Sequence, residues 1–384
     1  MSNGNAASTT EETLAALRQA EFPVAERYTY LNHAALGPLP RRTADTIAEL
    51  ARDFRDKGVL AEAKWFGSIA RTRALVSRLL NVSADEVAFT KNTSQGLSIV
   101  AASLPWRPGD IVVTVKGEFP ANVYPWLALQ QQGVTVRFVQ PRNGRIWLHD
   151  LEAALAGARL LAISWVQYST GFRIDLDEVS QLCARRGVLL SLDAIQGMGV
   201  LPIDLRATPV DFCAFGAHKW MLSPQGVGVL YVNQRVRDLL QPANVGWLGV
   251  DWRDYTAFDY DMPLSESASR YEEGTRSLMG IAGLEQSLGL LLDVGPATIA
   301  RYLHALTDHL AHRLITKGYR ILTPLETASR SGIITFCHPQ RPAQELFDAL
   351  RAARIVGALR EGGVRLSPHL YNTRDEIDAV LDIL

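Results

Sequence analysis

Seven short apolar runs punctuate the middle of the chain, at residues 86–89, 111–115, 135–139, 160–166, 188–192, 212–215 and 227–232. Most are solidly apolar instead of alternating, which is the pattern of parallel strands covered on both faces. Amphipathic stretches such as 175–186 fall between them and predict βαβ units. Ahead of the strands, a helical pattern runs from about residue 42 to residue 80 with a break near Gly58. A short helix is predicted over 10–20, with threonine at its cap and Glu11 and Glu12 in its first turn. The segment Asn32-His33-Ala34-Ala35-Leu36-Gly37-Pro38 reads as a loop closed by glycine and proline. A loop-to-helix stretch occupies 274–294, and after Gly295-Pro296 the pattern changes to helix 299–317, strand 332–336, helix 343–353, strand 364–367 and helix 373–384. The expected architecture is α/β. Residues 25–294 form a large domain with a mainly parallel sheet sandwiched by helices, and residues 295–384, joined by 1–24, form a smaller α+β domain.

Composition narrows the classes. The 384 residues are 47% hydrophobic and 21% charged, as in a folded globular enzyme. Lysine plus arginine number 39 against 40 aspartates and glutamates, so no nucleic-acid surface is expected. Three scattered cysteines make neither a disulfide framework nor a zinc site. The first ten residues lack the basic and apolar regions of a signal peptide, and no uncharged apolar stretch reaches membrane-spanning length. The expected setting is the cytoplasm, with no membrane partner.

Two polar residues follow apolar runs in a telling way. Asp193 ends Leu190-Ser191-Leu192-Asp193 and Lys219 follows Phe215-Gly216-Ala217-His218. Strand ends of an open α/β sheet are where ligands bind. An acid for a pyridinium nitrogen and a lysine for a Schiff base are the minimum for pyridoxal phosphate chemistry. Asp193 with Gln196 also fits a capping box, a purely structural alternative. The stretch Thr90-Lys91-Asn92-Thr93-Ser94-Gln95-Gly96 lies between a strand and a helix, where backbone amides favour a phosphate; an ordinary Ser/Thr cap is the other reading. Gly197-x-Gly199 lacks the third glycine of a dinucleotide fingerprint. His304, Asp308 and His312 share a helix face, but a solvated charged face accounts for them, and no metal is expected.

Asp193-Ala194-Ile195-Gln196, then His218-Lys219-Trp220, then Gly226-Val227-Gly228-Val229-Leu230-Tyr231 resembles the class V aminotransferase group of fold-type I pyridoxal phosphate enzymes. That group includes cysteine desulfurases, kynureninases and isopenicillin-N-epimerase-like proteins, and the resemblance runs from Asn32 to Thr373. It implies that Lys219 carries the cofactor as an internal aldimine and exchanges protons at the substrate Cα. Asp193 would pair with the pyridine nitrogen, Gln196 would donate to the phenolic oxygen, and His218 would border the ring. Thr93 and Ser94 match the phosphate-binding pair, and Phe119 stands at the ring-stacking position. Thr275 matches a threonine that reaches the phosphate of a neighbouring subunit, which implies a homodimer with shared sites. Arg365 matches the α-carboxylate clamp, with Arg360 a second candidate; Asn32 and His33 fall in a segment lining the substrate pocket. Tyr168 stands where desulfurases carry an asparagine.

Two departures alter the expectation. Gly216 replaces a phosphate-binding serine, and only four residues, none of them cysteine, separate Arg360 from Arg365. The sulfur-accepting loop of desulfurases is therefore missing. The expected function is a pyridoxal phosphate enzyme of aminotransferase type acting at Cα or Cβ of an amino acid. A C–S or β-lyase or an epimerase is the alternative, and persulfide-forming desulfuration is excluded. A non-catalytic pyridoxal phosphate sensor belongs to another class, but no segment before Asn32 is long or basic enough for a DNA-binding helix-turn-helix.

Overall fold

The computed structural model describes residues 3–252 and 260–384. Each of the seven apolar runs forms a strand, β2 (Val87–Thr90), β3 (Ile111–Val115), β4 (Thr135–Val139), β5 (Leu160–Ser164), β6 (Leu189–Asp193), β7 (Phe212–Gly216) and β8 (Gly228–Val232). They make one sheet in the order β2-β8-β7-β6-β5-β3-β4. Only β8 runs against the others. Side chains alternate faces along a strand, and here both faces are buried except at the edge strand β4, where Thr135 and Phe138 are exposed. Val113, Ile163, Leu192 and Phe215 join the core on one side, while Val112, Ala162, Phe212 and Leu230 join a second core on the other. Double burial is why these strands read as continuous apolar runs.

The helical stretch 42–80 breaks as expected, into Arg41–Lys57 and Gly67–Leu80 with short turns between them. Helix Leu278–Val294 packs across both. The N-terminal helix, Asn3–Glu21, is longer than its pattern suggested. Arg18 on it bridges Glu376 at 2.9 Å, and Phe22 stacks on Tyr371 with ring centroids 4.0 Å apart. Residues Thr29–Tyr30 (β1) pair with Ile355–Val356 (β11), which ties a segment assigned by sequence to the large unit onto the C-terminal one.

A second, antiparallel sheet contains β9 (Arg320–Ile321), β10 (Ile334–Cys337), β12 (Ala358–Arg360) and β13 (Gly363–Leu366), in the order β12-β13-β10-β9. Its core includes Leu310, Phe336, Leu346, Val364 and Ile377. β9 and β12 escaped the sequence reading because two or three residues carry no usable period. Glu361 and Gly362 join β12 to β13 with φ of 50° and 75°, a turn that requires both to be left-handed. No single described helix is long and apolar enough to cross a membrane.

Candidate active site

Six strands that run the same way end at one edge of the large sheet, and the loops leaving β2, β3, β5, β6 and β7 converge there. The loops carry Thr93, Glu118 and Phe119, Gln167 and Tyr168, Asp193 with Gln196, and His218 with Lys219. Opposite them stands β13 with Arg365.

Lys219 is 9% exposed, its ammonium 5.5 Å from the Phe119 ring centroid. Burial lowers the pKa of its amine; Arg365 and Arg360 push the same way and Asp193 opposes. Asp193 is also buried, and its Oδ1 accepts the Ile195 amide at 3.0 Å. Desolvation raises its pKa, with Glu118 adding repulsion while the Ile195 bond and Lys219 resist. Both groups are driven toward their neutral forms because a dry environment disfavours charge. Residues 194–200 turn without forming a helix, so the capping-box alternative for Asp193 and Gln196 does not hold.

The loop carrying Lys219 is held tightly. Gly37 donates its amide to the His218 carbonyl at 2.9 Å, and a Cβ on Gly37 would lie 2.3 Å from the Lys219 carbonyl oxygen. Leu222, just beyond, adopts φ of 54°, strained for a branched side chain. His218 is half-buried, and burial lowers its pKa, Lys219 assisting.

Thr93 opens helix Thr93–Ser103, capped by Asn92. Its hydroxyl is buried and has no hydrogen-bond partner among the described residues. That orphan at a helix N-terminus, near Gly216, fits a phosphate. A Cβ at Gly216 would meet the Thr93 hydroxyl at 3.3 Å and His218 at 3.1 Å, so the missing serine leaves room in a crowded corner. Ser94, next along the helix, is exposed. Phe119 is 45% exposed and meets Tyr168 edge to face, centroids 5.3 Å apart. The orphan hydroxyl, the buried acid–amine pair and the open aromatic face together suit a phosphorylated pyridine aldehyde.

Arg365 is 1% exposed. One guanidinium nitrogen donates to the Tyr168 carbonyl at 2.6 Å, while Nε and the other terminal nitrogen are buried without partners among the described residues. A desolvated cation with two unmet donors is costly, and an incoming carboxylate would satisfy both. Burial and the charge of Arg360 push its pKa down to about 10. Arg360 donates to the Leu359 carbonyl at 2.6 Å and influences both Lys219 and Tyr168. The Asn32 side-chain oxygen is likewise buried and unpartnered among the described residues.

One expectation needs correcting, the place of His33 in the substrate pocket. His33 is fully buried: its Nδ1 faces the Ser367 carbonyl at 2.8 Å and its Nε2 faces the Tyr371 hydroxyl at 2.9 Å, so it braces the fold and has no ring nitrogen left for substrate. Gln196 is mostly spent, donating to the Ala34 carbonyl at 3.0 Å and accepting from the Trp220 indole at 2.9 Å; a single amide hydrogen remains for a phenolic oxygen. Thr275 is exposed, in a groove of about 460 Å³ that Phe89, Lys91, Gln95 and Gly226 also line and Lys219 does not. Among the described residues no cluster of His, Cys, Asp or Glu could hold a metal, and Asp308 pairs with Arg330.

Sequence reasoning missed Glu118, Gln167 and His369. Glu118 follows an apolar run just as Asp193 does, which was the available signal. Gln167 and His369 offered none.

The sequence profile of the family described as Aminotransferase class-V matches residues 29–380. A probable cysteine desulfurase of Pyrococcus abyssi is 27% identical over 389 residues, covering 95% of each chain. An uncharacterized aminotransferase of Bacillus subtilis, YcbU, is 26% identical over 94% of this chain and 95% of its own. Among solved structures, the cystine C–S lyase C-DES with cysteine persulfide superposes with a TM-score of 0.87 at 24% identity, over 94% of this chain and 98% of that one. The chain thus belongs to the class V aminotransferase family of fold-type I pyridoxal phosphate enzymes.

Proposed function

We propose that the protein is a homodimeric enzyme of aminotransferase type that acts at the Cα of an amino acid with a free α-carboxylate. The observation that carries this reading is the Arg365 fork, buried with two unmet donors in the electrostatic neighbourhood of Lys219. Bound pyridoxal phosphate supplies an electron sink that stabilises negative charge at Cα. The side chains do the rest. Asp193 holds the pyridine nitrogen protonated, and Thr93, Ser94 and the amides opening helix Thr93–Ser103 hold the phosphate. Phe119 covers the ring and His218 borders it. Lys219, biased toward its neutral form by burial, takes and returns the Cα proton. Arg365, with Arg360 and Asn32 nearby, fixes the carboxylate and so decides which bond at Cα lies in line for cleavage. Thr275 completes the phosphate site of a second subunit.

A C–S or β-lyase is the second reading, favoured by the desulfurase names that relatives carry. Persulfide formation on a mobile cysteine is excluded from the proposal. Two residues join β12 to β13, too few to carry a cysteine to the site, and Cys183 and Cys213 are buried.

The test incubates holoenzyme with the common amino acids, with and without pyruvate as amino acceptor. A new amino acid formed only with acceptor supports transamination. Keto acid, ammonia and sulfide appearing without acceptor establish the lyase. Persulfide on Cys337, the least buried thiol, would overturn the exclusion, and inertness of every amino acid would overturn the whole reading. Sedimentation tests the dimer, which a monomeric holoenzyme would refute.

A further inference from the structure

Glu118 is a buried acid that none of the roles above uses. It follows β3 after the left-handed Gly117, at the same sheet edge as Asp193. Its Oε1 accepts the Ser164 amide at 2.8 Å and the Gln167 side-chain amide at 2.8 Å, and the Ser164 hydroxyl donates to Oε2. Three donors on one carboxylate fasten the end of β5 and the start of the following turn.

That turn closes on itself, the Gly171 amide reaching the Gln167 carbonyl and the Gln167 amide reaching the Phe172 carbonyl, each at 2.8 Å. Its outer carbonyls then meet the small sheet. The Tyr168 carbonyl accepts from Arg365 at 2.6 Å, and the Ser169 carbonyl accepts from the Thr335 hydroxyl at 2.6 Å. Thr335 and Arg365 are cross-strand partners on β10 and β13. A continuous path therefore leads from Glu118 through Ser164 and Gln167 to the Tyr168 carbonyl and on to the guanidinium.

The geometry matters for what Arg365 has left. With one nitrogen engaged by the Tyr168 carbonyl, the unmet donors are Nε and the remaining terminal nitrogen. These two can form one edge of the guanidinium, the edge that takes a carboxylate bidentately. If the turn drifts, the guanidinium loses the contact that sets its rotation.

We propose that Glu118 is a positioning residue for substrate recognition: by locking the Ser164–Tyr168 turn it orients the Arg365 fork toward an α-carboxylate. The inference rests on the proposed role of Arg365. It gives Glu118 no part in proton transfer and no contact with substrate.

The test compares binding of amino acids with that of amines lacking the carboxylate, using glycine with methylamine, L-alanine with ethylamine and L-cysteine with cysteamine. Apparent dissociation constants come from the change in visible absorption of the holoenzyme. Glu118→Gln turns an acceptor into a donor facing Ser164, and the loss of a charge-assisted bond should weaken the amino acids roughly tenfold. The amines should change less than about twofold, because they do not use the fork. Gln167→Ala, which removes one tie only, should show the same selectivity at roughly threefold, and it serves if Glu118→Gln folds poorly. In an Arg365→Ala background neither substitution should have a further effect. Equal weakening of amino acids and amines would mean a merely structural role and would overturn the proposal; so would unchanged binding, or an additive effect in the Arg365→Ala background. If the wild-type holoenzyme prefers no amino acid over its matched amine, the reading of Arg365 fails first and takes this one with it.

Discussion

Acidification from pH 7.5 to 5 should cost this fold stability through two histidines that lie behind the site. His369 and His33 are both fully buried, ring centroids 4.9 Å apart. His369 accepts the Leu370 amide at Nδ1, 2.8 Å, and donates from Nε2 to the Trp220 carbonyl at 2.9 Å, an arrangement that specifies the neutral ring. Burial pushes its pKa down to about 4, with the Trp220 bond resisting; His33 is held well below the usual range by burial and by His369. The sign follows from proton counting. Below the unfolded value of about 6.5 the unfolded chain binds a proton that the folded chain does not, so stability falls as pH falls and levels off only below the folded pKa. At pH 5 that amounts to about 2 kcal/mol for His369 alone. Replacing His369 by Gln, which can also donate and accept, should therefore cost about 2 kcal/mol less at pH 5 than at pH 7.5. Urea unfolding of the apoprotein and its variant at the two pH values measures the difference. An equal cost at both would refute the claim that His369 is neutral and buried.

Three further outcomes are expected. Gly37→Ala forces a methyl to within 2.3 Å of the Lys219 carbonyl, so it should destabilise by about 1–3 kcal/mol and slow cofactor uptake, read by thermal melting and by absorbance on reconstitution. Thr93→Val should have opposite signs in two states: the apoprotein gains up to about 1 kcal/mol by losing an unmet buried hydroxyl, while the holoenzyme releases cofactor faster. Melting and cofactor-release rates check it, and a destabilised apoprotein would show that the hydroxyl has a protein partner. Lys219 in the apoprotein should react with trinitrobenzenesulfonate below the pH at which surface lysines do, faster still in Asp193→Asn and more slowly in Arg365→Gln. Peptide mapping across a pH series follows it, and a Lys219 profile matching the surface lysines would contradict its burial.

What could be read from the sequence was what local pattern encodes. The large sheet was legible because both faces of most of its strands are buried, so most announce themselves as apolar runs, to within one or two residues; the edge strand β4, with Arg137 and an exposed Phe138, is the exception. Asp193 and Lys219 were legible because polar groups at such strand ends are conspicuous. The network behind them was not. Glu118 reaches Gln167 across 49 positions, and Arg365 reaches the Tyr168 carbonyl across 197. Nothing local marks such pairs. His33 misled for the same reason, since its partners Ser367 and Tyr371 lie at the far end of the chain and only the folded structure shows its ring to be spent. Gln196 carries the amide its family pattern calls for, yet one of that amide's hydrogens is already given to the Ala34 carbonyl, 162 positions away.

The charges around Lys219 suggest how recognition and chemistry are linked. Burial lowers the amine's affinity for a proton most, Asp193 raises it, and Arg365 and Arg360 lower it further. A substrate carboxylate seated on the Arg365 fork would cancel one of the two repulsive charges. The sign is then fixed: with that repulsion gone, Lys219 binds a proton more readily than before. A base that strengthens when the carboxylate arrives is strongest when a Cα proton stands ready to be removed, and weaker when the site is empty or holds an amine without the acid group. On the proposed roles, the fork that selects amino acids would thereby also raise the basicity of Lys219. On its proposed role, Glu118 would support both effects through the Tyr168 carbonyl without touching either reactant.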